Sequence, residues 1–268
     1  MTDKTIHFIA GFPRAGSTLL CNILNQNPRF HATSTSGILD IVLAIRNQWE
    51  NVNEFQASPN KVGKDAVMKP ILQNYYSTVD RPIVFDKSRG WPGYLELAEH
   101  CLGKRVKVIV PVRSIVDILA SFEKLTRNNS RTWQMPQEKS HFFEMQTQAG
   151  RADVWMRNDQ PVGVAYNRIR DAMDRGYTKQ MHLVEFENLT AHPEATLRAL
   201  YEFLGELYFP HNFDNVEQTT NENDDIHGIP GLHTIRSKVE PFTVDAKKLI
   251  GEDAFKKYDN SEFWRTAK

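Results

Sequence analysis

The chain has 268 residues, with 33 lysines and arginines balanced by 33 aspartates and glutamates. This length suits one large α/β domain or two small ones, and the neutral balance gives no support for a nucleic-acid partner held by a basic field. Two cysteines are too few for a zinc site or a disulfide framework, and no apolar run approaches the roughly 20 residues that span a bilayer. With no apolar stretch of signal-peptide length at the N-terminus, we expect a cytoplasmic protein without a membrane partner, in which Cys21 and Cys101 are buried thiols.

Short apolar runs alternate with helical patterns along the chain. Four runs, β-branched or aromatic and bounded by polar or turn residues, predict strands at 6–10, 83–85, 106–110 and 182–185. Helices are predicted at 19–24, 38–49, 115–122 and 193–204. The last of these begins at Pro193 and ends before Gly205, as helix-boundary preferences favour. The alternation predicts an α/β fold with a mainly parallel central sheet and helices on both faces.

Two segments depart from this alternation. Residues 128–160 are polar and rich in aromatic residues, which predicts an insertion or lid. Its aromatic side chains would form either a wall of the acceptor space or ordinary core packing, and they include Trp133, Phe142, Phe143 and Trp155. Residues 206–268 show few periodic signals before 244–250, and 227–238 has the composition of a long functional or mobile loop. We predict one domain over 1–268, with the lid and a capping C-terminal segment.

The first predicted strand leads into Gly11-Phe-Pro-Arg-Ala-Gly-Ser-Thr18 and then a helix. A glycine turn in this position points backbone N–H groups at an anion. The spacing is that of the Walker A loop, G-x-x-x-x-G-K-[ST], but Ser17 stands where ATP and GTP loops need a lysine, and the positive charge lies at Arg14. The loop therefore predicts a site for a diphosphate-like anion gripped by an arginine, with a purely geometric glycine turn as the alternative.

A second anion site is predicted after the third strand. Arg113 lies at the carboxyl end of that strand, where open α/β sheets bind ligands. Ser114 and Ser121 are seven residues apart, so in a helix they share one face, about 10 Å apart along the axis. Arg113 and Ser121 are candidates for holding one phosphate. A capping Ser114 and a Ser121 bonded to its own helix form the structural alternative.

These motifs resemble those of the sulfotransferases that use 3′-phosphoadenosine-5′-phosphosulfate (PAPS), especially the bacterial, tyrosylprotein and carbohydrate branches. Residues 11–18 resemble the family's 5′-phosphosulfate loop. Residues 110–121 resemble its 3′-phosphate motif, in which an arginine and a serine eight residues later bind that phosphate. Residues 184–189 and 193–205 resemble the strand–helix segment near the end of the family's core. The resemblance implies a P-loop-type fold and in-line transfer of a sulfonate from PAPS to an acceptor hydroxyl or amine, leaving the bisphosphate PAP, without a required metal.

The resemblance also implies roles for individual residues. Arg14 would stabilise the bridging and sulfonate oxygens, and Lys87 would be either a second clamp on the sulfonate or a solvated lysine. The other donor-binding candidates are Pro13, Ala15, Gly16, Ser17 and Thr18 around the 5′-phosphate, Arg113 and Ser121 at the 3′-phosphate, and Arg236 and Lys238 as a basic cap or a solvated cluster. The acceptor would be a small molecule, a carbohydrate or a peptide.

The general base is where the chain departs from the family pattern. The tyrosylprotein branch uses a glutamate shortly after the first helix, but residues 32–36 contain no carboxylate. The cytosolic branch uses a histidine after the second strand, where Arg89 or a neighbour stands. Asp86 is the first candidate because it ends a buried strand at the carboxyl edge of the sheet. The further candidates are Asp40 and His31, and the alternative for Asp86 is a structural pairing with Lys87 or Arg89.

Two other classes of function remain open from the sequence. A P-loop kinase or NTPase is favoured by 83–86, an apolar strand that ends in aspartate like a Walker B strand, but not by the loop, which lacks the lysine. A nucleotide-binding module without chemistry is the third possibility. The requirement for a metal distinguishes a kinase from a sulfotransferase, because ATP sites need Mg²⁺ whereas PAP is expected to bind in the presence of a chelator.

Overall fold

The structure, a computed structural model, describes residues 4–129 and 140–266. At its centre five parallel strands form a sheet in the order β2-β3-β1-β4-β5. The strands are β1 (Thr5–Ile9), β2 (Phe30–Thr35), β3 (Ile83–Lys87), β4 (Val108–Val112) and β5 (Met181–Glu185). The predicted α/β fold with a parallel sheet is confirmed.

Helices connect the strands and continue after the last one. They are α1 (Ser17–Leu24), α2 (Ile38–Asn51), α3 (Asn53–Ala57), α4 (Lys61–Met68), α5 (Ile71–Tyr75), α6 (Leu95–Leu102), α7 (Ile115–Asn129), α8 (Gln148–Trp155), α9 (Pro161–Asp174), α10 (Phe186–Ala191), α11 (Pro193–Leu204), α12 (Ala246–Ile250), α13 (Glu252–Tyr258) and α14 (Phe263–Thr266). Short 3₁₀ turns are Trp91–Tyr94, Glu144–Gln146, Tyr177–Gln180 and Asp224–His227. None of the described helices has the length and apolar character to cross a membrane.

Alternate residues of the strands pack into two separate apolar cores, one on each face of the sheet. Phe8 and Val84 belong to one core, whereas Ile9 and Phe85 belong to the other. This division follows from the two-residue period of a strand, and burial on both faces is typical of a parallel sheet. The polar residues that follow the strands therefore collect at the carboxyl edge of the sheet, where the topology leaves room for a ligand.

The four predicted strands are present, with shifted ends, and the helix over Pro193–Leu204 has the predicted bounds. The third strand extends two residues further than expected, so that Arg113 follows it directly. The edge strand β2 was not predicted. Its residues Phe-His-Ala-Thr-Ser-Thr alternate only weakly in polarity, and its inward side chains are small apart from Phe30.

Part of the predicted lid, including Trp133, lies outside the described residues. Within 140–160, Trp155 of α8 stacks on Phe122 with ring centroids 4.3 Å apart, whereas Phe142 and Phe143 are exposed. The C-terminal segment runs along the carboxyl edge of the sheet before α12, and one of its residues, Val216, donates a backbone hydrogen bond to the Ser237 carbonyl at 2.6 Å. The division of the chain into one domain with a lid and a cap stays a prediction.

Candidate active site

The loop after β1 lies against the residues of β4. The Phe12 N–H donates to the Pro111 carbonyl at 2.9 Å, and a Cβ on Gly11 would lie 2.1 Å from that carbonyl oxygen. Arg14 and Gly16 both have left-handed backbone, with φ of 62° and 80°. Glycine is therefore required at position 11 by the close approach, and at position 16 it adopts the turn into α1 without strain. The two predicted anion motifs are in direct backbone contact.

The start of α1 has the features of an anion site. The helix begins at Ser17, and no side chain in the described part of the chain caps it at Gly16. The first N–H groups of any helix lack partners within the helix, and the N-terminus carries a partial positive charge. Ser17 and Thr18 add hydroxyl groups at this point, so the loop presents several donors to one small anion.

The loop opens into a cleft with a volume of about 510 Å³. Of the residues predicted to bind the donor, those that line this cleft are Pro13, Arg14, Gly16, Ser17, Thr18, Lys87, Arg113, Ser121, Arg236 and Lys238. Ala15 is instead buried, with 1% of its surface exposed. The fold thus brings together cationic side chains from four distant parts of the chain, which makes the cleft suitable for a polyanion.

Arg14 joins the loop to α7 and to the C-terminal segment. Its Nε donates to the Ser121 hydroxyl at 3.1 Å, and its guanidinium also donates to the Leu232 carbonyl. Burial, together with the nearby Arg113, lowers the pKa of Arg14 to about 10. Arg14 is therefore still charged at neutral pH, and an anion between the two guanidinium groups would relieve their repulsion.

Arg113 is a buried arginine, with 5% of its surface exposed. Its Nη1 donates to the Arg14 carbonyl at 3.3 Å, its guanidinium lies 4.6 Å from the centre of the Phe186 ring, and its Nε is 3.9 Å from Asp117. Among residues 4–129 and 140–266, Nε has no hydrogen-bond partner. Buried polar groups are normally hydrogen-bonded, so this donor indicates a place for a ligand.

Lys87 lies between the loop and the C-terminal segment. Its Nζ is 2.7 Å from Glu222 Oε1 and 3.4 Å from the Thr18 hydroxyl, and both charged side chains are 7% exposed. Glu222 also accepts from the Thr35 N–H at 2.9 Å and from its hydroxyl at 2.8 Å. Burial alone would raise the pKa of Glu222, but the bonds from Lys87 and Thr35 outweigh it and hold this pKa below its usual value. Glu222 is therefore an ionised carboxylate that contacts two residues of the cleft lining, Thr35 and Lys87.

The sequence candidates for the general base lie elsewhere. Asp86 is fully buried and accepts from the Tyr76 hydroxyl and from Trp91 Nε1 at 2.5 Å. Burial raises its pKa, against the effect of these bonds. Asp86 does not line the cleft as the described residues form it, and it pairs with neither Lys87 nor Arg89 there. The expectation that Asp86 faces the acceptor therefore needs correction, and its position does not favour a Walker B role either.

The other two candidates for the base, Asp40 and His31, also do not line the described cleft. Asp40 is exposed in the first turn of α2, and His31 is half-buried on β2. Ser114, the predicted helix cap, donates its backbone N–H to Glu187 at 3.2 Å.

A cluster that the sequence did not reveal lies on the C-terminal segment. Asp224 is 2.6 Å from Nδ1 of His233, and Glu222 Oε2 is 3.1 Å from Nε2 of the same ring. His227 lies beside it, with ring centroids 5.6 Å apart, and both histidines line the cleft. Glu222, His227 and His233 offer ligand atoms within 4.8 Å of one another, so this trio has the donor set for a metal ion as well as for proton transfer. The only signal in the sequence was a histidine pair in a predicted loop.

A parallel sheet with a glycine loop before α1 and a cationic cleft at its carboxyl edge defines a P-loop-type α/β fold with a cleft suited to anionic ligands. A family model described as the sulfotransferase family matches residues 7–210. The chain therefore belongs to the sulfotransferase family and is a transferase of that class.

Solved structures of sulfotransferases share the fold. A mouse sulfotransferase complexed with PAP is 14% identical, with a TM-score of 0.57, and the match covers 99% of this chain and 87% of that one. A sulfotransferase domain from the curacin biosynthetic pathway is 18% identical, with a TM-score of 0.53, over 98% and 96% of the two chains. Among curated proteins, no sequence matches this chain.

Proposed function

We propose that this sulfotransferase takes its sulfonate from PAPS, releases PAP, and transfers the group to a hydroxyl or amine of a small molecule, carbohydrate or peptide without a required metal. The observation that carries the proposal is the hydrogen bond of 3.1 Å between Arg14 Nε and Ser121 Oγ. It joins the two anion motifs, 107 residues apart in sequence, in one cleft. The PAP complex of the mouse protein with the same fold supports the choice of donor.

The cleft fits a nucleotide with two anionic ends. Its volume of about 510 Å³ lies within the usual range for small-molecule sites, roughly 300–1,000 Å³. The buried Arg113, whose Nε lacks a partner among the described residues, suits a phosphate, since a guanidinium can bind two oxygens at once. Arg236 and Lys238 line the same cleft and add charge from the C-terminal segment.

Each end of the nucleotide has its own group of residues in the proposal. The Gly16 N–H, Ser17 and Thr18 hold the 5′-phosphate, and Arg113 and Ser121 hold the 3′-phosphate. When bound, PAPS supplies an activated sulfonate whose leaving group is a phosphate.

The chain orients that sulfonate and stabilises the negative charge that develops on the leaving group. Arg14 and Lys87 are the proposed cations, because the half-buried Arg14 and the buried Lys87 both lie at the junction of the loop and the C-terminal segment. Charges that are partly shielded from solvent act more strongly than they would in water. Positioning and charge stabilisation are thus the contributions assigned to these two side chains.

Thermal unfolding with and without ligand tests the donor. At a PAP concentration of 100 times Kd, mass action stabilises the folded state by about 2.7 kcal/mol. We expect PAP to raise Tm in EDTA, and ATP with Mg²⁺ to raise it much less. Arg113→Ala is the matched control and is expected to lose most of the PAP shift. A larger, Mg²⁺-dependent shift with ATP would instead favour a P-loop kinase.

A further inference from the structure

Sulfonate transfer to a hydroxyl needs a proton acceptor near the acceptor oxygen, and the end of β2 provides none. Residues 32–36 contain no carboxylate, and Asp86 lies in the core. The C-terminal segment brings a carboxylate to this same place, because Glu222 binds both the N–H and the hydroxyl of Thr35. The acidic group that the core lacks at the end of β2 is thus supplied by a residue 187 positions further along the chain.

We propose that His233 is the general base of the transfer, positioned by Asp224 and assisted by Glu222. The inference rests on the proposed function, since it assumes that the acceptor meets the sulfonate in this cleft. It assigns the chemistry to the C-terminal segment rather than to the sheet.

The hydrogen bonds of His233 determine which nitrogen is free to act. Asp224 Oδ1 is 2.6 Å from Nδ1, and Asp224 Oδ2 accepts from the His233 backbone N–H at 3.0 Å. This two-point contact fixes the ring and keeps the proton of the neutral imidazole on Nδ1. Nε2 is therefore the basic atom, and Glu222 Oε2, 3.1 Å away, accepts a hydrogen bond from it only in the protonated ring. A proton taken up by Nε2 would at once be shared with a carboxylate.

Neighbouring residues connect His233 to the two proposed sulfonate clamps, Arg14 and Lys87. The preceding residue, Leu232, accepts a hydrogen bond from Arg14 through its carbonyl. Glu222, on the other side of the ring, pairs with Lys87 at 2.7 Å. The base and both clamps are thus linked through two short sets of contacts.

The charges around the ring suit a base that is neutral before the reaction. Burial lowers the pKa of His233, Lys87 adds to this effect, and the carboxylates of Asp224 and Glu222 oppose it. The exposed His227 is a further titratable neighbour, with its ring centroid 5.6 Å from that of His233. Because the imidazolium would lie between two carboxylates, it would be stabilised once it forms.

The proposed transfer moves one proton to His233 and one sulfonate group to the acceptor. The acceptor hydroxyl gives its proton to Nε2 of His233, and its oxygen forms the new bond to sulfur. The bond between sulfur and the bridging oxygen breaks, and its electron pair leaves with the 5′-phosphate of PAP. The imidazolium later returns its proton to water.

The first experiment measures PAP formation from PAPS with phenol as the acceptor probe and compares wild type with His233→Gln. General-base catalysis contributes about 10²–10⁴-fold, so we expect a loss in this range for phenol, whose hydroxyl is protonated at neutral pH. With 4-nitrophenol, assayed at a pH where it is ionised, the loss should shrink to a few-fold because no proton has to be removed. Equal losses with both phenols would assign His233 a structural role and overturn the proposal.

Asp224→Asn tests the positioning role with a readout that needs no donor. We expect the rate with phenol to fall at least about tenfold and the His233 ring tautomer to change. The tautomer is measured by NMR of the ring nitrogens in the ligand-free protein. An unchanged tautomer together with an unchanged rate would remove Asp224 from the mechanism.

Treatment with EDTA distinguishes a base from a metal site. A base at His233 predicts that EDTA leaves the wild-type rate with phenol unchanged. A metal held by Glu222, His227 and His233 predicts a loss in EDTA as severe as in His233→Gln, which would overturn the proposal.

Calorimetric titration of PAP into each variant distinguishes the two proposals and shows that the variants fold. We expect PAP affinities within about threefold of wild type. If wild type binds PAP and forms it from PAPS while His233→Gln does both equally well, only the assignment of the base fails. If wild type does not bind PAP, or forms none above the protein-free rate, the proposed function fails first.

Discussion

The 3′-phosphate site gives the most quantitative test of the donor. AMP matches the 5′-phosphate end of PAP but lacks the 3′-phosphate proposed to bind Arg113 and Ser121. We therefore expect wild type to bind AMP much more weakly than PAP, and we expect Arg113→Ala to remove most of the difference.

The size of the difference follows from the surroundings of Arg113. Its guanidinium is buried, and its Nε has no hydrogen-bond partner in the described ranges, so a phosphate bond to Nε would form without breaking an existing one. Hydrogen bonds to charged groups contribute about 1.5–3 kcal/mol each. Two such bonds from a guanidinium give about 3 kcal/mol or more, which is at least about a hundredfold in Kd, because each 1.4 kcal/mol is tenfold.

Calorimetric titration of both nucleotides into wild type and variants measures the effect. Arg113→Ala should bind PAP at least about a hundredfold more weakly and AMP almost unchanged. Arg113→Lys keeps the charge but loses the planar guanidinium, so its PAP affinity should lie between those of wild type and Arg113→Ala. Ser121→Ala should lose a smaller part of the difference. Because Arg113 also packs on Phe186, melting curves of each variant without ligand are needed as the control for folding.

The assignment of Arg113 and Ser121 to the 3′-phosphate fails if wild type binds AMP and PAP with the same affinity. Arg113 would then be a structural arginine that supports the Arg14 carbonyl, and Ser121 would be only a partner of Arg14. A parallel loss of PAP and AMP affinity in Arg113→Ala would lead to the same conclusion, because it would show damage to the loop rather than loss of a phosphate contact.

Three further changes test other parts of the structure. Arg14→Ala should lower turnover by about 10²–10³ and PAP affinity much less, because its proposed partner is charge that grows in the transition state; equal losses in kinetics and calorimetry would contradict this role. Asp86→Asn should lower the free energy of unfolding in urea by about 1–3 kcal/mol, since one of the bonds from Tyr76 and Trp91 is lost, while PAP affinity stays within a few-fold; unchanged stability with abolished turnover would restore Asp86 as a catalytic candidate. His7 is 7% exposed, and burial, with help from Lys107, lowers its pKa from 6.5 to about 4. Between these values only the unfolded chain is protonated there, so stability should fall by up to about 3 kcal/mol as pH drops from 6.5 to 4, and His7→Gln should flatten that part of the urea stability profile.

The fold was accessible from sequence because its strands are short buried runs. Residues such as Ile83 and Val110 lie in strands covered on both faces, and such strands are continuous in apolar character. The edge strand β2 is different, since Thr33 and Thr35 point away from the core and its pairing with β3 is irregular between Ala32 and Thr35. Local sequence carries little information about such a strand, because its position depends on β3 beside it.

The donor-site candidates were accessible for a related reason. A glycine loop after a strand and an arginine at the end of another strand are local patterns, and the parallel topology brings strand ends to the same edge. The sequence therefore indicated Arg14 and Arg113 before any contact between them was known. It did not indicate that Lys87 pairs with Glu222, because 135 residues separate them.

The general base could not be located from local sequence patterns. Asp86 was the first candidate because it ends a strand at the carboxyl edge of the sheet. In the structure it is buried and accepts hydrogen bonds from Tyr76 and Trp91. Those two donors come from segments that precede and follow β3, and the local pattern of residues 83–87 does not predict their hydrogen bonds to Asp86. Conversely, Glu222, Asp224 and His233 lie in a segment without periodicity, where only the path of the folded chain brings them to Thr35 and Lys87. Residues held by a regular sheet can be located from their neighbours in sequence, whereas residues on an irregular segment can be located only through their contacts.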